Sequence, residues 1–398
     1  MNLRISLILI FTIILSFTTQ GQEKSDTTAL SKKELRKLKK QNKNYRYSIL
    51  GGPGYTPDYG FLIGGSALVT FSTDFKDKEL KRSVMPFAFS YIFEGGGSLQ
   101  VKPQIFFNKD KFRIFGNFYF KKTFDNYYGV GYATNSTTPR GDSTTKYQSQ
   151  GFKLNPEFLY RIGDSNLFYG IVLDITQDDI KNPAQGMVDD PYYQAQGGTA
   201  EGYKYFNNGL GIKFFYDTRD VPANAYKGLY LNLSGVYYSE ILRGNTEFTT
   251  FNLDYRQYKQ LKFISNKSVL AWRTQATINI GDTPIPYLAQ IGSPFDLRGY
   301  YKGQFRDQNA MFGLVEYRHM FSTAENTKVQ KWIAKTGFAA WGGVGGTGSK
   351  EGSWSPPLWN YGVGLRIEVQ PRMNFRLDYG HDPINKQNLI YFNMTEAF

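Results

Sequence analysis

Arg298 is the residue whose type and setting most invite chemistry, in the run Leu297-Arg298-Gly299-Tyr300. The surrounding segment, Ile291 to Tyr300, is rich in turn formers (Gly292, Ser293, Pro294, Asp296), yet it also carries Phe295, Leu297 and Tyr300. An exposed loop of that length is normally more polar, so the pattern predicts a folded tip packed against something. A guanidinium drawn inside with it needs anionic partners, because a buried cation is costly unless paired. Its planar fork suits carboxylates, two bonds at a time. Three acids on later alternating runs are placed to receive it: Glu316 beside Arg318, Glu368 beside Arg366, and Asp378 beside Arg376. The chemistry implied is an ionic latch formed by Arg298, Gly299 and Tyr300; hydrated charges lining a wet interior are the plainer alternative for each acid.

Other chemistry is poorly represented. There is no cysteine, and the two histidines, His319 and His381, have no metal-ligand spacing. His319 shares a strand face with Tyr317 and Phe321 and reads as an interfacial aromatic position, while His381 reads as a turn residue. No G-x-S-x-G elbow or phosphate loop is present, and Gly342 to Gly346 read as a turn. No enzyme activity, metal or cofactor is expected. The net charge of +13 owes much to Lys32, Lys33, Arg36, Lys37, Lys39, Lys40 and Lys43. That run reads as a solvated tether, with contact to anionic headgroups or an acidic partner as the alternative. Nucleic acid is not an expected partner, since the remaining basic residues are scattered through strands.

The elements that must position Arg298 are strands. Arg4, an apolar run from Ile5 to Phe17 and small residues up to Gly21 describe a signal peptide, residues 1–21, followed by a short basic periplasmic segment, 22–44. The remainder, 45–398, reads as one domain. Aromatics reach 17%, with 32 Phe, 30 Tyr and 41 Gly, although mean hydropathy is −0.44. Barrels escape hydropathy because only alternate residues face lipid. Phe112, Ile114, Phe118 and Phe120 alternate with Arg113, Asn117 and Lys121, and Phe375, Leu377 and Tyr379 with Asn374, Arg376 and Asp378. About sixteen such runs start near residues 45, 61, 83, 97, 111, 148, 166, 207, 228, 245, 267, 310, 332, 359, 372 and 388. The expected fold is all-β: a sixteen-stranded antiparallel transmembrane barrel with an in-folded outer loop, in the outer membrane of a Gram-negative cell. Long segments 122–147, 177–206, 281–310 and 343–358 are its outer loops.

Several motifs together resemble the outer-membrane assembly and secretion barrel superfamily that includes BamA, TamA and FhaC, the bacterial surface antigen family. Leu297-Arg298-Gly299-Tyr300 resembles its V/I/L-R-G-F/Y loop signature, and falls between the eleventh and twelfth runs, where the family places it. Asp217-Thr218-Arg219-Asp220 with Pro222 and Gly228 looks like the family's D-T-R-D turn. Phe312 to His319, with Glu316 and Arg318, resembles the strand after the signature loop, and Tyr361 to Arg366 a G-x-G-x-R strand. Phe398 ends the chain, with Ile390 and Phe392 on its face as in a targeting signal, while Glu396 departs from that pattern. Two departures stand out: Phe338-Ala339-Ala340-Trp341-Gly342 puts Ala340 where the family has a loop-binding aspartate, and the segment 22–44 is too short for one of the family's periplasmic POTRA domains, so none is expected.

The resemblance implies a barrel that helps polypeptides insert into or cross the outer membrane, through a weak closure between first and last strands. Gly51, Gly52, Pro53 and Gly54, with Phe398, are the seam candidates; a first turn is the alternative for the glycine run. The second reading is a plugged channel or scaffold subunit without client capture of its own, and lipid or sugar binding by the outer loops is a third. Expected partners are outer-membrane lipids, polypeptide clients or other assembly proteins, with a homo-oligomer left open.

Overall fold

A computed structural model describes residues 43–398 apart from Lys78, Glu94 and Glu325. The expected signal peptide and nearly all of the basic segment after it lie outside the described residues.

Side-chain alternation explains the architecture. In Asn309–Met320 the residues Ala310, Phe312, Leu314, Glu316, Arg318 and Met320 are buried, while Met311 and Val315 are exposed. In Leu358–Gln370, Asn360 and Arg366 are buried and Trp359, Tyr361, Val363 and Leu365 exposed. An exposed aromatic and aliphatic face with a charged concave face is the transmembrane barrel pattern. Among the described residues no helix is long and apolar enough to cross a membrane.

Sixteen strands pair in chain order, antiparallel, and close on themselves. They are β1 (Arg46–Thr56), β2 (Gly60–Phe71), β3 (Ser83–Ile92), β4, β5 (Phe112–Asn126), β6 (Lys146–Arg161), β7 (Leu167–Lys181), β8 (Gly202–Asp217), β9 (Gly228–Tyr238), β10 (Phe248–Gln260), β11 (Ser268–Gly281), β12 (Asn309–Met320), β13 (Thr336–Gly348), β14 (Leu358–Gln370), β15 (Met373–Asp382) and β16 (Gln387–Met394). The strand β4 runs Gly96–Val101 and resumes at Gln104–Phe107. Pro103, which has no N–H to give a ladder, lies in the interruption. Gly342 to Gly346, expected as a turn, continue β13 instead, paired with β12 and β14.

Closure is uneven. From Phe112 opposite Tyr160 to Asn126 opposite Lys146, β5 and β6 stay paired along their whole length. Between β1 and β16 there is one bridge, Tyr55 opposite Phe392. By that register β16 ends, at Met394, opposite Pro53, so among the described residues Arg46 to Gly52 have no strand beside them on that edge. After Met394 the chain turns inward at Thr395, whose φ is 66°. Phe398 is therefore buried in the interior, its ring 6.3 Å from that of Tyr258. This corrects the expectation that Phe398 sits on the seam face with Ile390 and Phe392: a left-handed residue takes it off the strand.

The segment 282–308 between β11 and β12 folds into the barrel. Its short ribbon, Ala289–Ile291 paired with Phe305–Asp307, packs Ile291, Leu297, Tyr300 and Phe305 against Phe312, Leu314, Leu358 and Phe398 of the wall and tail. On the side of β6 to β11 a polar cavity of about 430 Å³ remains, lined by paired charges such as Lys153 with Asp174 and Lys213 with Glu157.

Candidate functional site: an arginine and acid cluster inside the barrel

The loop tip needs glycine. At Gly299 φ is +126°, and a Cβ there would lie 2.8 Å from the backbone carbon of His381 on β15. Across the contact, a Cβ on Gly380 would come within 2.7 Å of the Arg298 carbonyl. Loop and wall thus meet backbone to backbone, which seats Arg298 deep in the interior with no exposed surface. Three wall side chains hold the tip's main chain, and one tip side chain holds the wall's. The Tyr391 hydroxyl accepts from the Gly299 N–H at 3.0 Å and donates to the Tyr300 carbonyl at 2.9 Å. Asn360 donates to the Arg298 carbonyl (2.8 Å), Gln387 to that of Gly299 (2.7 Å), and the Tyr300 hydroxyl to that of Trp359 (2.8 Å).

The guanidinium reaches two of the three acids singled out in the sequence. Nη1 of Arg298 donates to Asp378 Oδ2 at 2.7 Å, and Nη2 donates to Glu316 Oε2. Glu368 is elsewhere: it is half-buried near the C-terminal end of β14 and accepts from the backbone N–H of Arg372 at 2.9 Å. It faces inward like the others but lies too far along the strand, a distance that alternation cannot report.

Each acid is shared. Asp378 also accepts from Arg366 and Arg376, both at 2.6 Å, and Glu316 from Arg318 at 2.7 Å. Glu396 of the inturned tail accepts from Arg366 at 2.8 Å and from Asn374 at 2.7 Å. Four arginines and three carboxylates therefore form one buried network that joins the loop, β12, β14, β15 and the tail. Buried charges persist only when paired and hydrogen-bonded in this way.

The face of the Arg298 guanidinium lies over Trp341, its carbon 3.5 Å from the ring centroid. This corrects the register read around Ala340. Phe338 is exposed and Ala339 and Trp341 are buried, so Ala340 belongs to the outward set and Trp341 to the interior. A desolvated arginine on an indole face gains about 2 kcal/mol, so a ring stands against the arginine on this strand. Trp341, Tyr391, Asn360, Gln387 and Gly380 were not singled out from sequence; strict alternation from Phe338 would have flagged Trp341.

At the end of β8, Asp217 accepts from the Arg219 side chain at 2.8 Å. Asp220 accepts from the backbone N–H of Val221 and of Tyr226, and from Arg372 at 2.9 Å, tying the turn after β8 to that after β14. Partial burial pushes the Asp220 carboxyl up, but the Arg372 guanidinium and the two amides outweigh it and hold it below the ordinary carboxylate value. Glycine at 228 is required, with φ +111° and a would-be Cβ 2.4 Å from the Thr218 carbonyl.

A family model described as the Omp85 superfamily domain matches residues 95–398. The chain belongs to the Omp85 superfamily. Barrels of this superfamily are outer-membrane proteins. Two solved structures are similar in fold: CdiB from Acinetobacter baumannii (TM-score 0.53, 12% identity, covering 89% of this chain and 60% of that one) and CdiB from Escherichia coli (TM-score 0.54, 8% identity, 88% and 62%). This Omp85 barrel thus spans about three-fifths of the length of either CdiB chain. No curated protein sequence matches it.

Proposed function

We propose that this Omp85 barrel assists insertion of polypeptides into the outer membrane, or their passage across it, at the edge between β1 and β16. The observation that carries the reading is the single bridge between Tyr55 and Phe392. An unpaired strand edge in lipid leaves N–H and C=O groups that hydrocarbon cannot satisfy. A client strand adding to Arg46 through Gly52 would satisfy them by β-augmentation. Gly51, Gly52, Pro53 and Gly54 lie within β1, paired with Gly65 to Leu62 of β2. Residues with little side chain to pack, and a proline without an N–H, keep that strand's own pairing weak. The role given to Arg298, Gly299 and Tyr300 is to hold the loop across the interior, with Glu316 and Asp378 as acceptors, so that a client meets a fixed wall.

The test is a photo-crosslinking residue in place of Ile49 or Ile390, both exposed beside the seam, with Ile212 on β8 as the remote exposed control. Adducts with newly made barrel proteins at the first two positions and not the third support the reading. Equal labelling at Ile212, or none anywhere, would sink it. The second reading, a plugged channel, is favoured by the loop and tail that occupy the interior beside the polar cavity. Stable ion conductance in planar bilayers without client adducts would decide for it.

A further inference from the structure

The outward face of β5 to β8 is unlike the rest of the barrel at its outer end. Alternation puts Lys122 on the outside, beyond the exposed Phe120, and Lys181 and Lys204 likewise on β7 and β8, beyond Ile175 and Leu210. The registers align these positions into rows. Lys122 stands opposite Gln150, Gln150 opposite Asp179, and Asp179 opposite Lys204. One row farther out, Gln148 is opposite Lys181, and Lys146 follows at the end of β6. Lys146 is paired with Asp142 at 3.0 Å. Among the described residues no ion pair involves Lys122, Lys181 or Lys204. The carboxylate of Asp179 is taken up by Gln150 and Gln177 instead.

On the other strands the exposed residues near this level include Tyr237 on β9, Ile280 on β11, Met311 on β12, Trp359 on β14 and Tyr379 on β15, while the exposed Arg243, Lys350 and Lys386 lie in the connections beyond strand ends. The basic group also has a recess beside it. An open hollow of about 410 Å³ lies beside Lys122, lined by Leu99, Phe120 and Gln150, with Gly97 at its edge. Cations and amides over an aromatic floor, at the place where strands leave the apolar band, match the chemistry of an anionic amphiphile: charge at the headgroup, hydrocarbon below.

We propose that this face binds a phosphate-bearing lipid of the outer leaflet, with Lys122, Lys181 and Lys204 on its phosphates and its chains over Leu99 and Phe120. The inference needs the outer-membrane setting of the superfamily and is independent of the client-insertion reading.

The test is native mass spectrometry of the full chain in detergent, with bis-phosphorylated lipid A, its dephosphorylated form and phosphatidylcholine as probes. The wild type should retain the phosphorylated lipid selectively. K122Q/K181Q/K204Q should retain it on the order of 100-fold more weakly, at about fivefold per lysine near an anionic surface. Lys259→Gln, an exposed lysine toward the periplasmic end of β10, should behave as wild type. The same shift in gel mobility on heating as the wild type shows that the triple variant still folds. Equal retention of the dephosphorylated lipid, full retention by the triple variant, or displacement by inorganic phosphate as readily as by lipid A would overturn the proposal. Failure here with crosslinking intact at Ile49 would leave the seam reading standing.

Discussion

Replacing Arg298 with alanine removes two charge-assisted bonds and one ring contact. Taken separately these amount to about 1.5–3 kcal/mol per bond and about 2 kcal/mol for the ring. The net loss is smaller, because neither acid is orphaned: Glu316 keeps Arg318, and Asp378 keeps Arg366 and Arg376. The expected weakening of loop seating is therefore near the lower end for breaking a buried pair, about 3 kcal/mol. The barrel ladder does not depend on it, so the change should appear as local opening. Hydrogen exchange read by mass spectrometry should accelerate on the order of 10²-fold for amides of 292–303, among them Gly299, bonded to Tyr391, and Gly303, bonded to Gly292 at 2.8 Å. Arg298→Lys, which keeps the charge but not the fork, should lose about half of that free energy. Wild-type exchange in 292–303 for the alanine variant would refute the reasoning: the backbone contacts around Gly299 would then suffice to seat the loop.

Three further outcomes are expected. Gly299→Ala forces a side chain into a left-handed position against the backbone of His381, and should expose the loop to protease as much as Arg298→Ala does; resistance equal to wild type counts against the backbone fit. Trp341→Leu should lower the melting temperature of the loop-seated state by removing about 2 kcal/mol of cation–π attraction, whereas Trp341→Phe should recover part of it, both read by tryptophan-independent calorimetry. Asp220 has a lowered folded-state pKa, so its contribution is present above the unfolded value of about 3.9 and lost as pH falls through the folded one. Exchange at Tyr226 should hence be slow at neutral pH and rise only in strong acid, while in Asp220→Asn it should be fast throughout; acid-independent exchange in the wild type would contradict this.

The strands were legible because one face meets lipid and the other the interior. Expected starts near 83, 228 and 267 meet Ser83, Gly228 and Ser268 in the structure. Legibility fails where that contrast stops. The strand β8 begins at Gly202 rather than near 207, because there the contrast inverts: Tyr203 and Tyr205 pack inward while Lys204 faces out, so apolar-out alternation misses the strand's first residues. The run placed near 332 contains the helix Lys328–Ile333, whose capping box of Thr327 and Gln330 and whose Val329, Trp332 and Ile333 follow helical spacing; β13 starts only at Thr336. Around the arginine, residue types and strand faces pointed to Glu316, Glu368 and Asp378, but height along the barrel decides which acid is reached. Trp341 was displaced by one residue in the family pattern, and a single step exchanges inside for outside. The inward turn at Thr395 rests on one dihedral angle that no pattern of apolar residues encodes.

Tyr391 deserves a last consideration for where it stands: on β16, the strand whose outer edge holds the lone bridge to β1, with its hydroxyl between Gly299 and Tyr300. On the proposed reading, a segment prying at that edge would pull on a beam bolted to the inner plug. The seam strand and the lumenal loop share a single phenol, so a displacement of either would be transmitted to the other.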